Sequence, residues 1–204
     1  MIRSRWLPLV ILALVWMDTA CAKPLSPWSR ATIDPTPGWR VEEQCGYQDC
    51  TKVDVIVGPE VTVWVEAWNA ERQRNPSQRF FISVDLRTRP DIAYEFDLSR
   101  IAIHFDNGTH LPPITCECRL AAPHNSVAWN PCNGLTSLAG PIIASRHWFT
   151  GTPIHPPFRY TAIRLYFDVL PPPVDERFTL QLGPLSRDGV SIMLPDVHFF
   201  PGTR

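Results

Sequence analysis

Residues 160–182 carry the pattern that most narrows the fold. Ile163, Leu165, Phe167 and Val169 fall on one side of an extended chain, and Arg164, Tyr166 and Asp168 on the other. After the turn Pro171-Pro172-Pro173, Phe178, Leu180 and Leu182 repeat the alternation. Period-two patterning of this kind predicts strands with one face in a core. It recurs at Val53, Val55, Val57, then at Val61, Val63, Val65, Ala67, with Thr62, Trp64, Glu66 and Trp68 on the opposite face. Phe80, Ile82, Val84, Leu86 make another run, as do Ile92, Tyr94, Phe96, Leu98 and Ile101, Ile103, Phe105. Val190, Ile192, Leu194 and Val197, Phe199 close the chain. Asn107-Gly108 and Arg187-Asp188-Gly189 supply turns, the first a hairpin signal in which both positions tolerate positive φ. Pro is abundant at 22 of 204 residues, which disfavours helices. The expected fold class is all-β: an antiparallel β-sandwich, an immunoglobulin-like Greek key first, a jelly roll or partly open barrel second.

The organisation expected from composition has three parts. Residues 1–22 read as an export signal, with Arg3 and Arg5 ahead of an apolar run at 6–17 too short to span a bilayer comfortably. Ala20-Cys21-Ala22 fits a small-x-small cleavage site, whereas Asp18-Thr19-Ala20-Cys21 resembles a bacterial lipobox, in which Cys21 would be lipidated and become the new N-terminus. That resemblance covers these four residues and departs from the pattern at Asp18, where a large apolar residue is wanted. Residues 23–40, with Pro24, Pro27, Pro35 and Pro37, read as a Pro-rich tether or irregular arm, pinned by Trp28 and Trp39. Residues 41–204 read as one sandwich domain, with a long Cys-containing insertion at about 112–158. The location expected is outside the cytoplasm: the bacterial periplasm, an outer-membrane anchor through Cys21, or secretion.

Such a compartment permits disulfides. The candidates are Cys45, Cys50, Cys116, Cys118 and Cys132. A local Cys45–Cys50 bridge is the first expectation, and Cys132 with Cys116 or Cys118 the second. Cys116 and Cys118 share a face of an extended chain and are poorly placed to bridge each other. Cys116, Cys118, His124 and Cys132 could surround zinc or copper, but their spacing matches no metal motif, and no metal or organic cofactor is expected.

Net charge is -1, with 19 basic and 20 acidic residues, which gives no electrostatic case for nucleic acid. There is no Gly-x-Ser-x-Gly elbow and no His-Glu-x-x-His helix, so no catalytic residue is assigned. On paper His104, Asp106 and Asp85 make a triad, and Asp85, Glu95 and Asp97 offer paired carboxylates; a solvated polar strand face is the plainer reading of each. The sharper candidate is Trp64 and Trp68, with Glu66 between them, on one face of one strand. Rings so placed can stack on sugars while nearby charges bind hydroxyls. The plainer reading is a strand buried on both faces. Function then divides between a non-catalytic envelope module, binding a protein or glycan, and a hydrolase of envelope or extracellular polymer. A deep pocket with histidine and carboxylate in hydrogen-bond reach would favour the hydrolase; a flat polar surface would favour the module.

Overall fold

The computed structural model describes residues 27–45, 52–75, 77–119, 128–132, 135–138, 142–143 and 157–203. The export-signal residues, Cys21, Cys50 and His124 lie outside them. The strands are β1 (Pro27–Ile33), β2 (Arg40–Cys45), β3 (Lys52–Val57), β4 (Val61–Ala67), β5 (Phe81–Thr88) and β6 (Tyr94–Asp97). They continue as β7 (Ala102–Phe105), β8 (His110–Leu111), β9 (Thr115–Arg119), β10 (Asn130–Pro131), β11 (Leu135–Ser137) and β12 (Ile142–Ile143). The last are β13 (Phe158–Tyr166), β14 (Phe178–Gln181), β15 (Pro184–Arg187), β16 (Val190–Met193) and β17 (Val197–Thr203). Among the described residues the helical content is one 3-10 turn at Leu98–Arg100, and no helix is long and apolar enough to cross a membrane.

Every strand pairing is antiparallel, so the chain is an all-β protein of packed antiparallel sheets. A five-stranded sheet runs β1-β17-β14-β7-β8, and a long sheet runs β10-β9-β13-β5-β4-β3-β2 with β12 beside β13. A four-stranded sheet, β11-β6-β15-β16, completes the fold. The alternation sets which face is buried. From β4, Val61, Val63, Val65 and Ala67 point inward, and from β5, Ile82, Val84 and Leu86. Ile163 and Leu165 of β13 join them from the long sheet, and Phe178, Leu180, Ile103, Val197 and Phe199 from the five-stranded sheet. The Phe178 ring is the meeting point, stacked on Phe199 at 4.7 Å and edge-on to Phe80 at 5.6 Å.

Two hairpins show how local sequence fixes the turn. Asp188 and Gly189 both have positive φ (49° and 81°) between the paired residues Arg187 and Val190, which is the two-residue type I′ turn. Asn107-Gly108 behaves differently. Gly108 alone takes positive φ, its N–H donates to the Phe105 carbonyl at 2.9 Å, and the Phe105 N–H donates to Thr109 at 2.9 Å. That is a three-residue loop ending in a bulge, not a turn with both positions at positive φ.

Within the stretch read as a tether or arm, Pro27–Ile33 forms β1 and pairs residue by residue with β17. Proline is tolerated there because Pro27 is the first residue of an outer strand. Trp39 lies flat on Gly58, where an added Cβ would meet its ring at 2.6 Å.

β1 is also tied to the long sheet. Arg30 forks onto Asp54 of β3, with Nε at 2.9 Å from Oδ2 and Nη2 at 2.7 Å from Oδ1. The Ala31 N–H adds a third bond to Oδ2 at 2.9 Å, and Asp54 is only 2 % exposed. Gly202, opposite Trp28 on β17, leaves the space: a Cβ there would run into the Arg30 side chain.

Cys132 is bridged to Cys116 with a Cα–Cα separation of 5.4 Å. Cys116 faces Leu165 and Cys118 faces Ile163 across the ladder, so both cysteines are on one side of β9 and lie along it rather than across from each other. The pairing consumes two of the four residues of the conceivable zinc or copper set. The Cys45–Cys50 expectation lies outside the described residues.

Candidate functional site

The second face of the long sheet is not a bare solvated surface. Its side chains on β4 and β5 are half-buried where the inward ones are buried. Register explains what gathers there. Trp64 sits beside Asp85, Asp85 beside Ala162, and Ala162 beside Arg119. The next row is Glu66, Ser83, Arg164 and Glu117, and the one beyond it holds Phe81, Tyr166 and Thr115. On the other side come Thr62, Arg87 and Tyr160. Opposed side chains on one face of a ladder lie within contact distance, so β4, β5, β13 and β9 make one continuous surface.

That surface interleaves rings and guanidinium groups. Arg72 lies 3.5 Å from the Trp28 ring centroid and 4.4 Å from that of Trp68. Trp68 stacks on Phe81 at 5.2 Å, and Phe81 meets Tyr166 at 5.5 Å. Arg164 covers Trp129 at 4.0 Å, and Arg119 approaches the same ring at 5.0 Å. Arg87 covers Trp64 at 3.9 Å. Cation–π contacts of this kind hold long side chains flat against the sheet. Carboxylates balance them: Glu66 pairs with Arg72 at 3.1 Å, and Glu117 accepts from the Tyr166 hydroxyl at 2.7 Å.

The centre of the face is the pair Asp85 and Tyr160. The Tyr160 hydroxyl donates to Asp85 Oδ2 at 2.5 Å. Burial pushes the Asp85 carboxyl up to about 6, and the Glu66 charge adds to the rise; the Tyr160 hydrogen bond and the Arg119 and Arg87 charges oppose it. Burial and the Asp85 carboxylate push the Tyr160 phenol upward in turn, so it stays a donor. The folded state therefore holds a proton on Asp85 in a range where the unfolded chain has lost it. Stability contributed by this proton is full below about 4 and is lost as pH rises through about 6. Asp85→Asn is expected to remove that dependence and to stabilise the protein at pH 8 by about 2–3 kcal/mol, from roughly 1.36 kcal/mol per pH unit of displacement. Urea melts of both proteins from pH 4 to pH 8 check it; parallel curves would refute it.

Several N–H donors on this face find no acceptor among the described residues. They are the indole Nε1 groups of Trp64 and Trp68 and the Nε groups of Arg119 and Arg164. Each buried donor left without a partner costs about 1–3 kcal/mol.

Of the residues singled out in sequence, Trp64, Glu66 and Asp85 are brought onto one surface, with Trp68 at its end. The others are dispersed. His104 belongs to β7 of the five-stranded sheet, so the triad with Asp85 and Asp106 is not assembled. Alternate positions share a face only within one strand, and β5 and β7 are in different sheets. Glu95 and Asp97 are in β6 of the four-stranded sheet, where Asp97 accepts from the Ser99 N–H at 3.0 Å and caps the 3-10 turn. The residues that sequence reasoning missed are Arg87, Arg119, Arg164, Tyr160 and Trp129. A shallow depression of about 290 Å³ elsewhere is lined by Phe105, Asn107, Val169, Leu170 and Glu176 among others, with no histidine in it. Comparison with known protein families, with curated proteins and with solved structures finds no match for the chain.

Proposed function

We propose that this chain is an exported, non-catalytic binding module of the cell envelope whose working surface is the second face of the long sheet, and that its ligand is a glycan. The observation that carries the reading is the coincidence, on one face, of half-buried rings with the Trp64 and Trp68 indole N–H groups and the Arg119 and Arg164 Nε–H groups, which have no acceptor among the described residues. Sugar rings offer apolar faces for stacking and dense oxygen acceptors for such donors. Arg72, Arg87, Arg119 and Arg164 against Glu66, Glu117 and a partly protonated Asp85 favour acidic over neutral sugars. The face is the continuous side of a β-sheet, which suits a module better than a hydrolase. The sandwich belongs to the same reading as an immunoglobulin-like Greek key. In its support, β13 enters between β5 and β9, and β17 between β1 and β14.

Titration of the full chain with acidic and neutral envelope polysaccharides, followed by tryptophan fluorescence, tests the glycan. Binding weakened tenfold or more by Trp64→Ala supports it; fluorescence indifferent to every glycan sinks it. Export with cleavage after Ala22 or lipidation at Cys21 is tested by intact mass of the protein from its own host. A chain that retains residues 1–22 overturns that part.

The raised Asp85 carboxyl favours one second reading, a glycan hydrolase with Asp85 as the proton donor. Release of reducing ends that is abolished by Asp85→Asn, with binding intact, would select it.

A further inference from the structure

The outer face of the five-stranded sheet carries a row of polar side chains: Thr32, His198, Thr179, His104 and His110, each beside the next in register. His104 and His110 stand directly opposite one another on the two strands of one hairpin and are exposed. Their ring centroids are 4.3 Å apart. The His110 Nδ1 lies 3.1 Å from Nδ1 and 3.3 Å from Nε2 of His104.

Those separations match what a shared metal ion requires. Two imidazole nitrogens bound at about 2.0–2.1 Å to a tetrahedral zinc are roughly 3.3 Å apart, and a square-planar ion brings cis nitrogens to about 2.9 Å. The His110 Nδ1 sits over the His104 ring, so the exposed His104 ring must turn about its Cβ–Cγ bond to bring a lone pair of each residue to one point. The strands beneath are fixed by the closed loop, in which Gly108 and Phe105 donate to Phe105 and Thr109. The Gln181 Oε1 is 3.4 Å from the His104 Nε2, so an amide oxygen stands next to the pair.

We propose that His104 and His110 form a two-histidine site for a divalent first-row transition metal: zinc, copper(II) or nickel. Imidazole nitrogens select these ions over magnesium and calcium, which demand oxygen-rich shells. The two histidines fill two coordination positions. The others are left to the Gln181 amide oxygen, water, or a donor atom of a bound molecule. His198 is outside the site, with its Nδ1 2.9 Å from Thr179 Oγ1 and its Nε2 3.4 Å from Asp34. The site is on a different sheet from the aromatic face and stands or falls independently of the glycan.

Isothermal titration of the full chain with zinc and nickel chlorides, with magnesium chloride as the control, is the test. One zinc or nickel ion per chain is expected, with no magnesium binding. His104→Ala and His110→Ala should each weaken binding by an order of magnitude or more, and His198→Ala should leave it unchanged. Substoichiometric copper(II) gives a readout that needs no variant: the Cε1 proton resonances of His104 and His110 should broaden together. Absence of binding below millimolar metal overturns the site. So does binding that survives either substitution, or broadening at His124, His147 or His155 with His104 and His110 left sharp.

Discussion

Arg30→Met should destabilise the protein by about 3 kcal/mol, the low end for breaking a buried ion pair, because Asp54 is buried while the Arg30 side chain is 30 % exposed. The size follows from where the partner sits. Asp54 is 2 % exposed on β3, and the Arg30 guanidinium reaches both of its oxygens. A methionine keeps the stem that packs by Gly202 and deletes the charge. Asp54 must then stay ionised in a low-dielectric corner or take up a proton at neutral pH. The double variant Arg30→Met/Asp54→Leu separates the two contributions. It should recover much of the loss, because a buried pair is worth little against apolar side chains of similar volume while its half is costly. Urea denaturation of the two proteins checks this, and a single variant within 1 kcal/mol of the parent would refute it.

Phe178→Ala is expected to cost about 3–5 kcal/mol. The ring is 2 % exposed and is the one at which the two sheets meet. From its own sheet it stacks on Phe199 at 4.7 Å and touches Phe105 at 5.6 Å; from the other it meets Phe80 edge-on at 5.6 Å. Alanine would leave a dry hollow lined by three rings, of which Phe105 and Phe199 sit on the strands flanking β14 and cannot follow the retreating atoms inward without disturbing those ladders. Phe178→Leu preserves most of the volume and should cost under about half as much. Equal losses for the two substitutions would show that this core can collapse, contrary to the packing described.

Where a strand buries one face, its residues announced it. β4, β5, β13 and β14 were legible because Val61 to Ala67, Ile82 to Leu86, Ile163 to Leu165 and Phe178 to Leu180 alternate with polar partners. β1, β2 and β15 were not. β1 turns Ser29, Ala31 and Ile33 toward the core, so its buried side carries a single large apolar residue, too little for a periodic signal. β2 is an outer strand reading Arg-Val-Glu-Glu-Gln, and β15 offers one large apolar residue, Leu185. The Asn107-Gly108 turn was placed correctly, yet only Gly108 uses positive φ; the type I′ geometry belongs to Asp188-Gly189.

The candidate site was legible only as far as one strand reaches. Trp64, Glu66 and Trp68 are linked by periodicity alone. Joining them to Asp85, Arg119 and Arg164 needs the neighbours of β4, and β13 comes from almost a hundred residues further along the chain. A usable hint was present: most outward positions of β5 and β13, Asp85, Arg87, Tyr160, Arg164 and Tyr166 among them, are charged or aromatic, with Ser83 and Ala162 between them. It acquires meaning once those two strands are known to be adjacent.

β1 and β17 are the first and last strands described, and they are neighbours. Among the described residues β1 has no other ladder partner within its sheet, so Pro27 waits for Thr203. Of the described strands the first is paired within its sheet by the last, and β14 also lacks its outer neighbour until β17 arrives. A ribosome or a translocation pore feeding this chain from its N-terminus would deliver nearly all of it before the five-stranded sheet could close. Completion is then a single late event of long loop closure, slow by the measure of contact order. Until that moment β1 has no ladder to join, and afterwards β1 and β17 hold each other in place.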